Sequence, residues 1–359
     1  MTEIENINHH LEGYDMALLG SFVVSFLIVL SSRFHLKYSS RGSVKHEIQK
    51  SHVNPTPRIG GIAVLMGCLL AWYMSDNIAN KFLGVIIFSS LPVLIFGLLD
   101  DFYFNIPPIY RLFAASISSL IAIVFLETWL VKVDVIGFDM LFLYTPFAIV
   151  FTMFATTGVS HAFNLIDGLH GLSLGVSLSV SFFLTVLAWV TADIFIVMLG
   201  TVFFLSSLGL FLINYPWGKI FLGDGGAYFQ GHCLSWISIL LLSRNPEITP
   251  WAIVLIFFWP VVETLYSIYR RVSKKRSSAI ADRAHFHQLV YDKVRSVKAF
   301  KNSATTANSF STLLLLPLII FPSIVSLIFF NDVKGSFVGF MFLFAVYIAS
   351  YNLIKPRFN

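Results

Sequence analysis

Apolar runs of about 17 to 22 residues recur along the chain, beginning near Met16, Gly61, Phe82, Leu112, Leu141, Leu172, Ile194, Gly226, Trp251, Ser311 and Phe337. Each is close to the ~20 residues a helix needs to cross ~30 Å of hydrocarbon, so the pattern predicts about ten to eleven transmembrane helices. None of the runs alternates polar and apolar residues over ~10 positions, as a membrane β-barrel strand does. The run after Trp251, "WAIVLIFFWPVVETLYSIYRR", is interrupted by Pro260, and Glu263 lies seven residues before Arg270, about 10 Å along a helix. An intramembrane carboxylate is a functional candidate, although Glu263 is also shallow enough to meet interfacial polar groups. The expected fold class is all-α: one polytopic membrane domain over residues 1–359, with basic loops at 34–60 and 270–308.

Composition agrees with this pattern. The 359 residues are 57% hydrophobic and 12% charged, with 37 phenylalanines, unlike a soluble domain of this length. Glu3, Glu5, Glu12 and Asp15 precede the first run without a Lys or Arg, so it lacks the basic start of a cleaved signal and is expected to be a retained span. With the N-terminus outside, only Lys81, Lys132, Arg244 and Lys334 of the 24 basic residues fall outside. The positive-inside rule thus orients the chain, and the net charge of +5 is a topology signal, not a nucleic-acid patch. The two cysteines, Cys68 and Cys233, both lie inside apolar runs and offer neither a disulfide framework nor a cysteine metal site.

The remaining polar residues gather in five clusters: "NPTPRIGG" (Asn54 to Gly61), "GLLDDFYFNIPP" (Gly97 to Pro108), "HAFNLIDGLHGL" (His161 to Leu172), "FLGDGGAYFQG" (Phe221 to Gly231) and "ADRAHFHQ" (Ala281 to Gln288). In the orientation above all five lie at inside ends of spans or in inside loops. Asp100 and Asp101 end a span at the negative end of a helix, where each carboxylate is unfavourable by ~0.3–1 kcal/mol and needs compensation. They are solvated loop acids, or they hold Mg²⁺ or Mn²⁺, or one binds metal while the other accepts a proton. Asn164 and Asp167 share one face of a helical turn, with Gly168 and Gly171 allowing a tight turn. His161 reads as a packing or interfacial histidine before it reads as a ligand. Gly223, Gly225 and Gly226 at the start of a span form an anion-ready turn open to a diphosphate, and Asp224 in the same turn would repel that anion unless a divalent cation lay between them. Asp224 is therefore the leading metal-ligand candidate. Arg283, His285 and His287 suit contact with a phosphate or ribose, against the alternative of a polybasic loop on anionic lipid; no third histidine or cysteine nearby completes a zinc site.

Carboxylates at three inside span ends, a glycine turn and a basic histidine loop describe a metal-bridged diphosphate site at a membrane surface, suited to phosphoryl transfer involving a substrate that is partly lipid. In order, "TPRxGG", "LDD", "NxxDGxxGL", "LGDxG" and "HxH" resemble the polyprenyl-phosphate N-acetylhexosamine-1-phosphate transferases, from about Asn54 to Gln288. The resemblance implies transfer of a sugar-1-phosphate from a UDP-sugar to undecaprenyl phosphate on the cytoplasmic face of a bacterial plasma membrane. UMP is released, Mg²⁺ or Mn²⁺ is required, a cell-surface polysaccharide is initiated, and homodimers are common among relatives. It makes Asp224 the main metal ligand, with Asp100 a second candidate. Asp100, Asp101 and Asp167 become the catalytic acids, and Arg58, Asn164, His170, Arg283, His285 and His287 the substrate contacts.

Two positions depart from the family pattern. Phe104 stands where some relatives carry a third acid, "DDxxD", and His170 replaces the second aspartate of "NxxDGxDGL". Both remove negative charge beside the diphosphate. A transporter or lipid flippase with an inward-facing ion site is the competing reading; it calls for carboxylates near the bilayer midplane and for internal repeats, and the sequence displays neither clearly. A CDP-alcohol phosphotransferase would group its aspartates on one helix, whereas here they are spread over three spans.

Overall fold

The computed structural model describes residues 13–40, 55–75, 79–102, 106–273 and 284–355, and among them there is no strand. The helices in chain order are α1 (Asp15–Leu30), α2 (Ser32–Ser39), α3 (Gly60–Met74), α4 (Ala79–Asp101), α5 (Pro108–Leu126), α6 (Thr145–Leu165), α7 (Leu172–Val190) and α8 (Ile194–Asn214). They continue with α9 (Gly223–Arg244), α10 (Pro250–Ile256), α11 (Phe258–Ser273), α12 (Phe286–Ser296), α13 (Ala304–Phe329) and α14 (Val333–Ile354). The protein is thus an all-helical, multi-pass membrane protein.

Each of the eleven apolar runs has become helix, yet among the described residues only seven helices are long and apolar enough to cross a membrane, or nine if each bent pair counts as one span. This is fewer than the ten to eleven expected. Two of the runs differ for separate reasons: α3 has only 15 residues, and α9 is long enough but polar. Every residue of α9 from Gly223 to Leu241 is buried, so it faces protein on all sides and has no lipid-facing stripe to keep apolar. The bent pairs are α1–α2, at 90°, and α10–α11, at 85°. The second bend falls at Phe257; Pro260 lacks the N–H and its ring conflicts with the carbonyl four residues earlier, that of Ile256.

Helix α9 is the axis of the bundle, and glycines set how closely its neighbours approach. A Cβ on Gly97 of α4 would lie 2.5 Å from the Gly225 Cα, and a Cβ on Gly61 of α3 would run into Gly226. Two helix backbones therefore pack directly on the first turn of α9, as small residues permit in membrane proteins. Gly97→Ala must push α4 off α9, at a cost of roughly 1–3 kcal/mol. It is expected to lower the thermal unfolding midpoint of the detergent-solubilised protein, whereas Gly158→Ala, which faces open space, leaves it unchanged. Equal midpoints for the two variants would contradict this packing.

Candidate active site

The first turn of α9 meets the last turn of α4. Asp101 ends α4 with its carboxylate at the negative pole of that helix, and it is fully buried. Its compensation is the positive pole of α9: the Asp224 and Gly225 N–H groups donate to Asp101 Oδ1 and Oδ2, both at 2.9 Å. These N–H groups are therefore engaged by protein. The glycines of the turn are filled by protein as well, since a Cβ on Gly223 would strike the Arg58 carbonyl, one on Gly225 would meet Leu98, and one on Gly226 Leu222. The expected open approach for a diphosphate at this turn is thus replaced by close helix packing. Gly223 also has φ +77°, the left-handed conformation glycine adopts readily.

Asp224 points the other way, toward two arginines. Arg111 Nη1 donates to Asp224 Oδ2 at 2.9 Å and to Asp100 Oδ2 at 2.7 Å, and Arg58 Nη2 donates to Asp224 Oδ1 at 3.3 Å. Arg58 also lies 3.8 Å from Asp101 through Nε. The "TPRIGG" turn is strapped to the segment before α9 by the Phe221 N–H to the Pro57 carbonyl, the Gly60 N–H to the Phe221 carbonyl and the Gly61 N–H to the Leu222 carbonyl, at 2.8 to 2.9 Å. Asp100 takes a further bond from the Ile106 N–H at 3.0 Å.

Asp167 joins this group from the turn after α6. The Gly223 N–H donates to its carboxylate; burial pushes the carboxyl up to about 6 against the pull of Arg58, and the negative charge of Asp224 adds to the rise. Asn164, half-buried on the last turn of α6, accepts the Asp167 N–H with its carbonyl at 3.3 Å. Among the described residues, four carboxyl groups, those of Asp100, Asp101, Asp167 and Asp224, thus gather around two guanidinium groups.

The histidine loop reaches the same place. A Cβ on Gly168 would lie 2.6 Å from His287 Nε2, so the His287 ring covers the "NLIDG" turn. Burial lowers the His287 ring to about 4, against the opposing charge of Glu263, so the ring is neutral at pH 7, and its buried Nδ1 has no partner among the described residues. His285 stacks on it, with ring centroids 5.6 Å apart. Glu263 is the anchor of this loop: Oε1 accepts the Phe286 N–H at 2.8 Å and lies 3.2 Å from His285 Nδ1, and Oε2 accepts from the Tyr347 hydroxyl at 3.0 Å. Arg283 and Phe104 lie outside the described residues.

The described bonds of His170 lead away from the four carboxylates. Its N–H donates to Asn308 Oδ1 at 2.6 Å, its carbonyl accepts from Thr312 Oγ1 at 2.7 Å, and its Nδ1 lies 3.1 Å from the Pro216 carbonyl. Burial lowers its ring, against the Pro216 carbonyl, so it too is neutral at pH 7. The residue ties the "DGLHG" turn to α13 and to the Pro216 turn, with Phe221 at 5.7 Å between ring centroids as its nearest link to the α9 start.

Arg111 lies outside the five sequence clusters, and motif reading does not single it out. Its signal was its position: a cation in the first turn of a helix is as misplaced as the two acids at the end of α4, and misplaced charges at neighbouring helix ends ask to be paired. Beyond the centre, a cavity of about 390 Å³ with a mainly apolar lining lies between α6, α9 and the α10–α11 bend, bounded by Thr156, Val159, Ser235, Ile239, Trp251 and Phe257 among others. Asp224, Tyr228, Gly231, Ser235 and Ser238 form one stripe of α9 at helical spacing, so the cavity wall at Ser235 begins ~16 Å along the helix from Asp224.

The glycosyl transferase family 4 model matches residues 83–242, which hold Asp100, Asp101, Arg111, Asn164, Asp167, His170 and Asp224. The chain is 29% identical over 282 residues to the probable undecaprenyl-phosphate N-acetylglucosaminyl 1-phosphate transferase of Bacillus subtilis, covering 74% of this chain and 75% of that one. It is 27% identical over 259 residues to the undecaprenyl-phosphate alpha-N-acetylglucosaminyl 1-phosphate transferase of Yersinia pestis, covering 68% of each. With the phospho-N-acetylmuramoyl-pentapeptide-transferase of Streptococcus pneumoniae it shares 32% identity over 277 residues, covering 70% of this chain and 79% of the relative. Matched through the helices that carry its carboxylate centre, and at this identity over most of a relative's length, the chain belongs to glycosyl transferase family 4.

Proposed function

We propose that the protein transfers a sugar-1-phosphate, an N-acetylhexosamine-1-phosphate, from a UDP-sugar to undecaprenyl phosphate as the first step of a cell-surface polysaccharide. The observation that carries this reading is a single stripe of α9 that starts in a carboxylate–arginine centre and ends in an apolar cavity. A polyprenyl tail fits the cavity, and a phosphate fits beside the charges. The names of the relatives point to the same reaction class, and the transporter reading gains no support from carboxylates that sit at helix ends. The positive-inside rule, applied to the basic loops at 34–60 and 270–308, supports a centre at the cytoplasmic face of a bacterial plasma membrane, where UDP-sugars are made.

The reaction forms a bond from an acceptor phosphate oxygen to the β-phosphorus of the donor and breaks the bond from that phosphorus to the bridging oxygen, which leaves with UMP. The donor set fits Mg²⁺ or Mn²⁺ held by one or two carboxylates and by substrate phosphate oxygens. Asp100 Oδ2 and Asp224 Oδ2 converge on one cationic nitrogen, and among the described residues no three His, Cys, Asp or Glu side chains form an all-protein cage. An ion held by Asp224 and Asp100 would supply neutralisation of the charge on the diphosphate and on the leaving UMP. Asp101 positions Asp224 by fixing the first turn of α9, Arg58 and Arg111 balance the phosphates, and Asp167 is ionised in the working state. Asn164, His285 and His287 face the donor from the α6 end and the α12 start, and His170 supports the turn that carries Asp167. Arg283 remains a further phosphate contact by sequence.

Purified protein given undecaprenyl phosphate, Mg²⁺ and a panel of UDP-N-acetylhexosamines is expected to release UMP and form a lipid diphosphate with at least one of them. Asp224→Asn should reduce that rate on the order of 10²-fold or more; an unimpaired variant would sink the mechanism. The raised Asp167 carboxyl adds a pH test. A rate that needs the ionised form falls as pH drops through about 6, roughly tenfold per unit below it. The residual rate of Asp167→Asn should lack that acid limb, and an unchanged limb would show that the titrating group lies elsewhere, for example on the acceptor phosphate.

A further inference from the structure

Two polar side chains, Tyr228 and His161, lie between the carboxylate centre and the apolar cavity. Tyr228 follows Asp224 by one turn on α9 and is only 2% exposed, yet among the described residues its hydroxyl makes no hydrogen bond. His161 lies on α6, one turn before Asn164, and packs edge-on against the Tyr228 ring at 4.9 Å between centroids. Its Nε2 is buried and has no partner among the described residues. Orphaned buried donors are uncommon, because each loses its bonds to water and gains nothing in return. His161 Nε2 is such a donor, and close to it lie the Tyr228 hydroxyl, unbonded among the described residues, and the Arg111 guanidinium, a setting of donors that suits an anion.

We infer that His161, Tyr228 and Arg111 form the subsite for the phosphate monoester of the lipid acceptor. The inference rests on the transferase reading and names the part of the site that reading leaves open. Position separates this subsite from that of the donor. Val159 and Thr156, two and five residues before His161, line the apolar cavity, and Ser235, seven residues after Tyr228, lines it from α9. Asn164, Asp167, Gly168 and His287 lie on the other side of His161 in sequence and cluster with one another. A lipid whose tail fills the cavity therefore brings its phosphate to His161 and Tyr228 before it reaches the carboxylates. The donor set matches a phosphate in chemistry as well: the Tyr228 O–H, the His161 Nε2–H and the Arg111 guanidinium are all donors, and a phosphate monoester offers three acceptor oxygens. Arg111 already joins Asp100 to Asp224 through Nη1, and its Nε has no partner among the described residues, so a phosphate on that side lies next to the place where the bond must form.

The test is a kinetic split in lipid nanodiscs, with KM for polyprenyl phosphate and KM for the UDP-sugar measured separately. Tyr228→Phe and His161→Leu are each expected to raise the acceptor KM roughly tenfold, the loss of one hydrogen bond to a charged group, with the donor KM within about twofold of wild type. His161→Gln, which keeps an N–H at similar reach, should recover most of the loss. Binding of polyprenyl phosphate against unphosphorylated polyprenol gives a second readout: wild type prefers the phosphate, and Tyr228→Phe, which removes one oxygen and leaves the ring in place, narrows the preference. A donor KM that rises as much as the acceptor KM, or an unchanged preference for the phosphate, overturns the subsite. Wild-type protein that turns over no UDP-sugar but still prefers the phosphate overturns the transferase reading and leaves the subsite standing.

Discussion

Everything at the centre depends on one contact, the Asp101 carboxylate on the Asp224 and Gly225 N–H groups. A carboxylate at the C-terminal pole of α4 is unfavourable on its own helix, and the free N–H groups at the start of α9 are unsatisfied on theirs. Each end supplies what the other lacks, and in a buried setting a bond to an ionised acceptor is among the stronger ones available. Fixing the first turn of α9 also fixes Asp224, which projects from that turn toward Arg58 and Arg111. The glycines follow from the same requirement, since the poles can meet only if Gly97 and Gly61 let the helices touch at backbone distance. Adjacent aspartates that look equivalent in the sequence thus have different roles: Asp101 holds a helix, and Asp100 shares an arginine with Asp224.

The architecture was legible in the sequence wherever lipid dictates residue type. A helix facing hydrocarbon must be apolar, and the long runs that became α4 to α8, α13 and α14 were visible for that reason. Helix α9 was visible as a run but is too polar to pass as an ordinary span, because protein surrounds it and allows it Gln230, His232, Ser235 and Ser238. The acids and histidines of the site were legible as clusters because polar residues at span ends are conspicuous in an oily chain. Their partners were not legible, because the bonds that define the site join residues far apart: Arg111 and Asp224 lie 113 positions apart, and Asp101 and Asp224 123. Residue type and spacing report what a side chain can do, and only the packing of α4, α5 and α9 decides which side chain receives it. His170 is the clearest instance: its chemistry suited a substrate contact, and its neighbours Asn308, Ser309 and Thr312 came from a helix nothing in the local motif announced.

The polarity of α9 and the break at Phe257 belong to one design constraint. A transferase acting between a soluble nucleotide and a membrane lipid needs a charged centre and an apolar channel in contact, and bilayer hydrocarbon tolerates the first only where protein encloses it. Burying α9 on all sides provides that enclosure. Its first turns can then carry Asp224 and Tyr228, and its later turns can line a cavity with Ser235 and Ile239. The bend between α10 and α11 completes the arrangement from the other side. It opens the cavity wall at Phe257, and it turns α11 so that Glu263 reaches the histidine loop and draws His285 and His287 over the Asp167 turn. A straight helix over this stretch could not both line the cavity with Trp251 and Phe257 and anchor that loop through Glu263, so the proline three residues after the bend is a requirement of the site as much as of the helix.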